Sequence, residues 1–322
     1  MAVRWTVDDR APTLYTRAYR AGMWLARDKT AFEGARHTLE TARQAQRSGN
    51  APPTRWTRLR RTVREEQVAG MPVWTVRPRH QRPVARVVHV HGGGYVHPMT
   101  ADYWRLARAL SDAPAEVVLP AYPLAPDATV DDVLPRLVQL HGQVANRDDL
   151  PTVLMGDSAG GALVLAMAAR IRDLGGRSPA RVVALSPWLD ATLDEEAVRD
   201  LEPSDPMLAE SGLRAAGRWY AGRHRPSDPM VSPVHESLAG LPPIDVFIGD
   251  EDILRPAVDD FADRARAQGA ELHVHEVSAM FHVWMTRAIP EGRRTRRELA
   301  RLVSGDQPTN RQNGWPAGSA ST

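Results

Sequence analysis

The chain contains no cysteine. Disulfides, thiolate nucleophiles and Cys-liganded zinc are excluded outright, an absence that fits a reducing, cytoplasmic setting. Lysine is almost missing too: Lys29 stands alone, and arginine supplies the rest of the basic side. The 41 basic residues face 39 acidic ones, a net charge of +2. No strong field of one sign follows, and the arginine bias reads as the base composition of a GC-rich genome. Basic residues cluster only at Arg58-Leu59-Arg60-Arg61 and over residues 293–301. Both read as solvated faces, so no nucleic-acid partner is expected. No apolar run approaches the ~18 residues of a membrane span. The first ten residues lack an apolar core and carry Asp8 and Asp9, unlike a secretory leader. Metal-ligand spacings such as H-E-x-x-H are also lacking, so neither a metal nor a cofactor is expected.

What is present is ample apolar material. The 322 residues are 43% hydrophobic, enough for one large α/β domain with an accessory layer or for two smaller domains. Residues 11–47 have helical spacing, with Leu14, Ala18, Ala21, Trp24 and Leu25 at three- and four-residue steps. Ser48-Gly49-Asn50-Ala51-Pro52-Pro53 breaks that pattern. Residues 61–68 and 72–76 then read as an antiparallel hairpin. From residue 86 onward apolar strands alternate with helices, which predicts a mostly parallel sheet flanked by helices. The strands are expected at 86–90, 116–119, 152–155, 181–185, 244–248 and 271–277. The helices are expected at 103–110, 130–146, 161–173, 255–268 and 293–303. Residues 190–235 interrupt the alternation and read as a lid or cap insertion. The Gly-, Ser- and Pro-containing tail, 304–322, is expected to be disordered.

One short stretch carries the chemistry. Gly156-Asp157-Ser158-Ala159-Gly160 follows the apolar run Val153-Leu154-Met155 and precedes a helical run. A G-x-S-x-G between a buried strand and a helix is a nucleophile elbow, a turn so sharp that only small residues fit beside the serine. A serine hydroxyl is hardly ionised at neutral pH and needs a neighbouring base. In strand-turn-helix hydrolases the acid and then the histidine follow the serine, in loops at the carboxyl ends of later strands. The first such loop offers three acids, Asp250, Glu251 and Asp252. The second offers His282. Upstream, His91-Gly92-Gly93-Gly94 closes a predicted strand. Its glycines let backbone N–H groups converge on an oxyanion, and the N–H of Ala159 at a helix start would add another donor. The remaining histidines fit no partner pattern, except that His97, after the glycine loop, could line an acyl or alcohol pocket.

These residues together resemble the bacterial hormone-sensitive lipase family of the α/β-hydrolase superfamily. The matching motifs are His91-Gly92-Gly93-Gly94-Tyr95, Gly156-Asp157-Ser158-Ala159-Gly160-Gly161, Asp252-Ile253-Leu254 and Phe281-His282. Tyr122-Pro123-Leu124-Ala125-Pro126 and Leu185-Ser186-Pro187-Trp188 are weaker matches. The resemblance implies an α/β-hydrolase fold with a helical cap built from residues 1–50 and 190–235 around a catalytic domain, 51–303. It implies Ser158, Asp252 and His282 as catalytic residues, with Asp250 the fallback acid. It implies oxyanion donors at Gly93, Gly94 and Ala159, supported by His91, Gly92 and Asp157, the last bracing the glycine loop. The chain departs from the family at Arg255-Pro256-Ala257, where many members carry an Asp-Glu pair. It departs again at Val283-Trp284, where many have glycine, and Trp284 is expected to narrow the pocket.

The implied activity is hydrolysis of short- to medium-chain acyl esters through an acyl-enzyme, with a small-molecule ester as the partner. Lactone or amide hydrolysis and acyl transfer would use the same residues. A non-catalytic, receptor-like module is the alternative from another class. The cap aromatics Trp5, Tyr15, Tyr19, Trp24, Trp219 and Tyr220 are candidates to line the pocket or to form cap core. A homodimer is left open, since relatives often pair through edge strands or late helices.

Overall fold

The computed structural model describes residues 3–194 and 196–305. The tail expected to be disordered lies outside them from residue 306 onward. In chain order the elements are β1 (Arg4–Asp8), α1 (Leu14–Ala26), a 3₁₀ turn (Asp28–Phe32), α2 (Ala35–Ser48) and α3 (Arg55–Arg58). The hairpin β2 (Arg61–Val68) and β3 (Met71–Pro78) comes next, then β4 (Ala85–Val90), α4 (Asp102–Asp112) and β5 (Ala115–Pro120). There follow α5 (Val130–Ala145), β6 (Thr152–Asp157), α6 (Ala159–Asp173) and β7 (Arg181–Leu185). The insertion supplies α7 (Glu196–Leu201) and α8 (Glu210–Ala221). The chain closes with β8 (Ile244–Gly249), α9 (Pro256–Gln268), β9 (Leu272–Val277) and α10 (Pro290–Ser304).

The nine strands among the described residues form one sheet, in the order β1-β9-β8-β7-β6-β4-β5-β3-β2. Among the described residues, only the β2–β3 and β3–β5 pairings are antiparallel. Strands β4, β5, β6 and β8 are buried at every position. That is the reason they read as unbroken apolar runs, since a parallel sheet is covered on both faces. One face packs against α5, α6 and α9 through residues such as Leu137, Leu163, Val164 and Phe261. The other packs against α4 and α10 through Trp104, Leu106, Leu299 and Val303. Because β4, β6, β8 and β9 run parallel, the loops at their carboxyl ends meet along one edge of the sheet, where ligands bind in this architecture.

Two expectations for the N-terminal region are corrected. Residues 4–8, placed in a helical cap, are the edge strand β1, paired in parallel with β9 from Arg4↔His273 to Asp8↔Val277. Helix α1 forms as expected, but Leu14, Ala18, Ala21, Trp24 and Leu25 are all exposed. The helix instead turns Thr16 and Met23 inward, because its opposite side meets α10 and the start of the following turn.

Candidate active site

Ser158 sits between β6 and α6 with φ 54° and ψ −122°. A non-glycine residue there costs roughly 1–3 kcal/mol and persists only where its surroundings impose it. They do so by backbone hydrogen bonds: Ser158 N–H donates to Leu185 O at 2.8 Å, and Trp188 N–H donates to Ser158 O at 3.0 Å. Directly behind the turn α6 lies so close to β4 that a Cβ on Gly160 would overlap Val90 O. The small residues of the elbow are thus demanded by helix-on-strand packing as well as by the turn.

The glycine loop leaves β4 toward the same point. Gly93 has φ +101°, and a Cβ there would stand 2.7 Å from His97 O. Asp157, buried beside the serine, holds the loop: its Oδ1 accepts from Gly92 N–H at 3.2 Å and its Oδ2 from Tyr103 O–H at 2.8 Å. Burial raises the Asp157 pKa to about 6, against the opposing pull of Tyr103, His282 and Gly92. The His91 ring stacks on Tyr122 at 4.3 Å, and Tyr122 O–H donates to His91 O at 2.9 Å. Burial lowers the His91 pKa to about 4, so the ring is neutral and acts as a packed plate. Among the described residues, the backbone N–H groups of Gly93, Gly94 and Ala159 are not spent on any protein acceptor.

His282 follows β9, and its Nδ1 lies 2.8 Å from Asp252 Oδ2. The remaining Asp252 oxygen accepts from Leu254 N–H at 3.0 Å, and the carboxylate is wholly buried. Asp250 points elsewhere: its Oδ1 accepts from Ala279 N–H at 2.6 Å and braces the loop that carries the histidine. The same loop is held from the other side by Val283 N–H donating to Ser186 Oγ at 3.1 Å. Arg255, which stands where many members of the resembled family carry an Asp-Glu pair, pairs with Glu276 of β9 at 3.2 Å and lies over Trp5 of β1. The acid loop is therefore buttressed by the edge of the sheet.

A residue that the sequence did not single out completes the electrostatics. Asp205, fully buried, comes from the insertion; its Oδ1 accepts from Met207 and Leu208 N–H, and its Oδ2 from Ile253 N–H at 3.2 Å. It thus clamps the cap onto the loop bearing Asp252. Burial and the neighbouring Asp252 charge raise its pKa. Burial alone would lower the His282 pKa, but Asp252, then Asp205 and Asp157, outweigh it and the net shift is upward. In sequence, Asp205-Pro206-Met207-Leu208 reads as an ordinary turn, so only its fold position identifies it.

Ser158 and His282 line one cavity of about 330 Å³, together with Gly93, Gly94 and Asp157. His97 lines it too. The six cap aromatics do not; the cap contributes Phe32, Met207 and Leu208. Tyr220 instead stacks on Tyr95 at 3.8 Å, and Tyr19 on Phe281. Trp284, expected to narrow the pocket, is buried behind it with its Nε1–H donating to Thr295 Oγ1 at 3.1 Å, and Val283 faces the cavity. Away from this edge, Asp245, His273 and His275 bring their ligand atoms within 4.8 Å of one another. Sequence spacing gave no sign of that group. Arg181 pairs with Asp245, and Glu298 with the far side of His275, so it already has its counter-charges.

Comparison with known proteins identifies the fold and the family. Residues 87–286 match the family model described as alpha/beta hydrolase fold. The chain is 31% identical over 228 residues to an acetyl-hydrolase of Streptomyces hygroscopicus, covering 68% of this chain and 75% of that one. It is 30% identical over 271 residues to the carboxylesterase NlhH of Mycobacterium tuberculosis, covering 78% and 83%. A solved esterase of the bacterial hormone-sensitive lipase family superposes with a TM-score of 0.79 at 24% identity, covering 92% of this chain and 99% of that one. No helix among the described residues is long and apolar enough to cross a membrane.

Proposed function

The chain belongs to the α/β-hydrolase family, in its fold-3 branch of bacterial esterases, and is a carboxylesterase- or lipase-type hydrolase; on that premise we propose that Ser158, His282 and Asp252 cleave short-chain acyl esters through an acyl-enzyme. Ser158 Oγ attacks the ester carbonyl while the imidazole of His282 takes its proton. Asp252, on Nδ1, fixes the tautomer and stabilises the imidazolium. The carbonyl oxygen becomes an oxyanion facing the N–H groups of Gly93, Gly94 and Ala159. Collapse expels the alcohol, which receives the proton from His282. A water molecule deprotonated by His282 then attacks the acyl-enzyme, and the acid leaves as Ser158 recovers its proton.

The observation that carries this reading is the meeting, around one cavity, of Ser158, His282 and the unspent donors of Gly93 and Gly94, with Asp252 bonded to His282 behind it. For chain length the support is size. At about 330 Å³ the cavity lies at the small end of ligand pockets, and Phe32 from the cap stands against Gly94. A relative named acetyl-hydrolase fits a short acyl group. The test is hydrolysis of a p-nitrophenyl ester series from acetyl to palmitoyl by the parent and by Ser158→Ala. Turnover should peak at short acyl groups and vanish in the variant, and a phosphonate ester should label Ser158 alone. Parent-like turnover in Ser158→Ala would end the assignment of the nucleophile; a palmitoyl optimum would end the assignment of chain length.

A further inference from the structure

The arginine cluster at residues 293–301, which reads in sequence as a solvated face, folds into something else. Helix α10 carries Arg293, Arg296, Arg297 and Arg301 at three- and four-residue spacing, hence on neighbouring turns of one side. Helix α4 presents Arg105 and Arg108 opposite them. Between the two helices lies a groove of about 470 Å³, lined by these six arginines and by a single acid, Asp112. Asp112 is already paired with Arg61. Arg105 is satisfied by Asp102 at 2.6 Å. Among the described residues, Arg108, Arg293, Arg296, Arg297 and Arg301 have no carboxylate within ion-pair distance.

Arg296 makes the imbalance acute. It is 7% exposed, and its Nη1 donates to the carbonyl oxygens of Met285 and Arg287, at 2.5 and 2.8 Å. Those bonds use donors without neutralising the charge. Burial and the neighbouring Arg105 and Arg293 lower its pKa to about 10, and burial with Arg105 and Arg61 lowers that of Arg108. Taking a charge from water without a counter-ion costs several kcal/mol. A chain that gathers six arginines on two packed helices, one of them buried and five without a carboxylate partner among the described residues, lowers that cost by binding an anion there. Guanidinium forks match phosphate oxygens two at a time, and the excess of positive charge calls for an anion of several negative charges.

We propose that the α4–α10 groove is a binding site for a phosphate-bearing multivalent anion, separate from the catalytic cavity. Its inner wall is shared with that cavity: Arg105 also donates to Thr286 O at 2.8 Å, and Asp102, Thr286 and Arg287 line the catalytic side.

The test titrates the full chain with inorganic tripolyphosphate, following the melting temperature and the heat of binding at constant ionic strength. A parallel arm measures co-sedimentation with equimolar phosphatidylcholine–phosphatidylglycerol vesicles, against phosphatidylcholine alone. Binding to tripolyphosphate assigns a free phosphate compound, and binding to the anionic vesicles alone assigns a lipid headgroup. The discriminating variant is Arg297→Ala with Arg301→Ala, both exposed on α10. Its charge-matched control is Arg47→Ala with Arg264→Ala, exposed on α2 and α9. Saturable stabilisation of the parent is expected, with the dissociation constant raised about tenfold or more in the groove variant and unchanged in the control. Ester turnover without anion should match the parent in both and reports that they fold. Absence of saturable binding to either probe, or equal weakening in groove variant and control, would overturn the proposal.

Discussion

At the scale of the residue, the site's chemistry is set by how many carboxylates face one imidazole. Three do: Asp252 in contact, with Asp205 and Asp157 behind. A general base works only when unprotonated, so a raised His282 pKa moves the acid limb of kcat/KM upward, above the limb of an ordinary histidine near 6.5. Asp205→Asn removes one of the charges that hold the imidazolium. The limb should then shift to lower pH, with a stability loss of about 1–3 kcal/mol from the N–H groups of Met207, Leu208 and Ile253 that Asp205 now satisfies. A pH profile of kcat/KM beside a denaturant titration separates the two effects, and an unmoved limb would leave Asp205 a purely structural clamp. Asp252→Asn should be far worse, with kcat reduced about 10³–10⁴-fold, because the wrong tautomer is then favoured. Asp250→Asn should leave kcat within about tenfold, since its carboxylate serves Ala279 N–H and not the histidine. Measuring kcat for both variants on one ester distinguishes the two acids.

At the scale of the element, the glycine loop and the cap behave oppositely. The loop is legible in sequence because its backbone geometry leaves almost no choice of residue. Gly93→Ala illustrates this: the positive φ and the approach to His97 O must displace the loop, and kcat should drop by roughly 10²–10³-fold, the scale of losing an oxyanion donor. Activity with retained melting temperature is the measurement. The cap is held by tertiary packing instead, which spacing does not encode. Its wall residue, Phe32, ends a five-residue 3₁₀ turn, Asp28–Phe32, too short to show any periodicity. The periodic aromatic and aliphatic stripe of α1 faces outward. Phe32 meets the His97 ring edge-on at 5.3 Å. Phe32→Ala should therefore deepen the cavity and raise the octanoyl-to-butyryl ratio of kcat/KM about tenfold, the scale of a few contacts in an apolar pocket. An unchanged ratio would place the chain-length limit elsewhere in the cap.

At the scale of the whole molecule, the succession of strands and helices after residue 86 and a mostly parallel sheet were readable in the sequence, though not the strand order, because strands covered on both faces must be apolar throughout. Edge strand β1 was not. Arg4-Trp5-Thr6-Val7-Asp8 has charged ends and only two large apolar side chains, and what makes it a strand is β9. The coupling is extensive: Trp5 Nε1–H donates to Glu276 Oε2 at 3.0 Å, Ser278 N–H donates to Asp8 O at 3.0 Å, and Arg294 of α10 pairs with Asp8 at 2.8 Å. Ser278 opens the loop that carries His282, so the N-terminal strand and the proposed catalytic base share a support. Deleting residues 1–9 should cost about 3 kcal/mol, from five paired residues and their side-chain bonds, and lower the melting temperature by roughly 4–6 °C. The loss of activity should exceed what unfolding explains, because Arg255 loses Trp5 beneath it and the Asp252 loop loses that buttress. Measured well below the melting temperature, kcat should fall while the KM for a short ester stays near the parent value, since no residue of β1 lines the cavity. A rise in KM at constant kcat would mean that the edge strand shapes the pocket rather than the base.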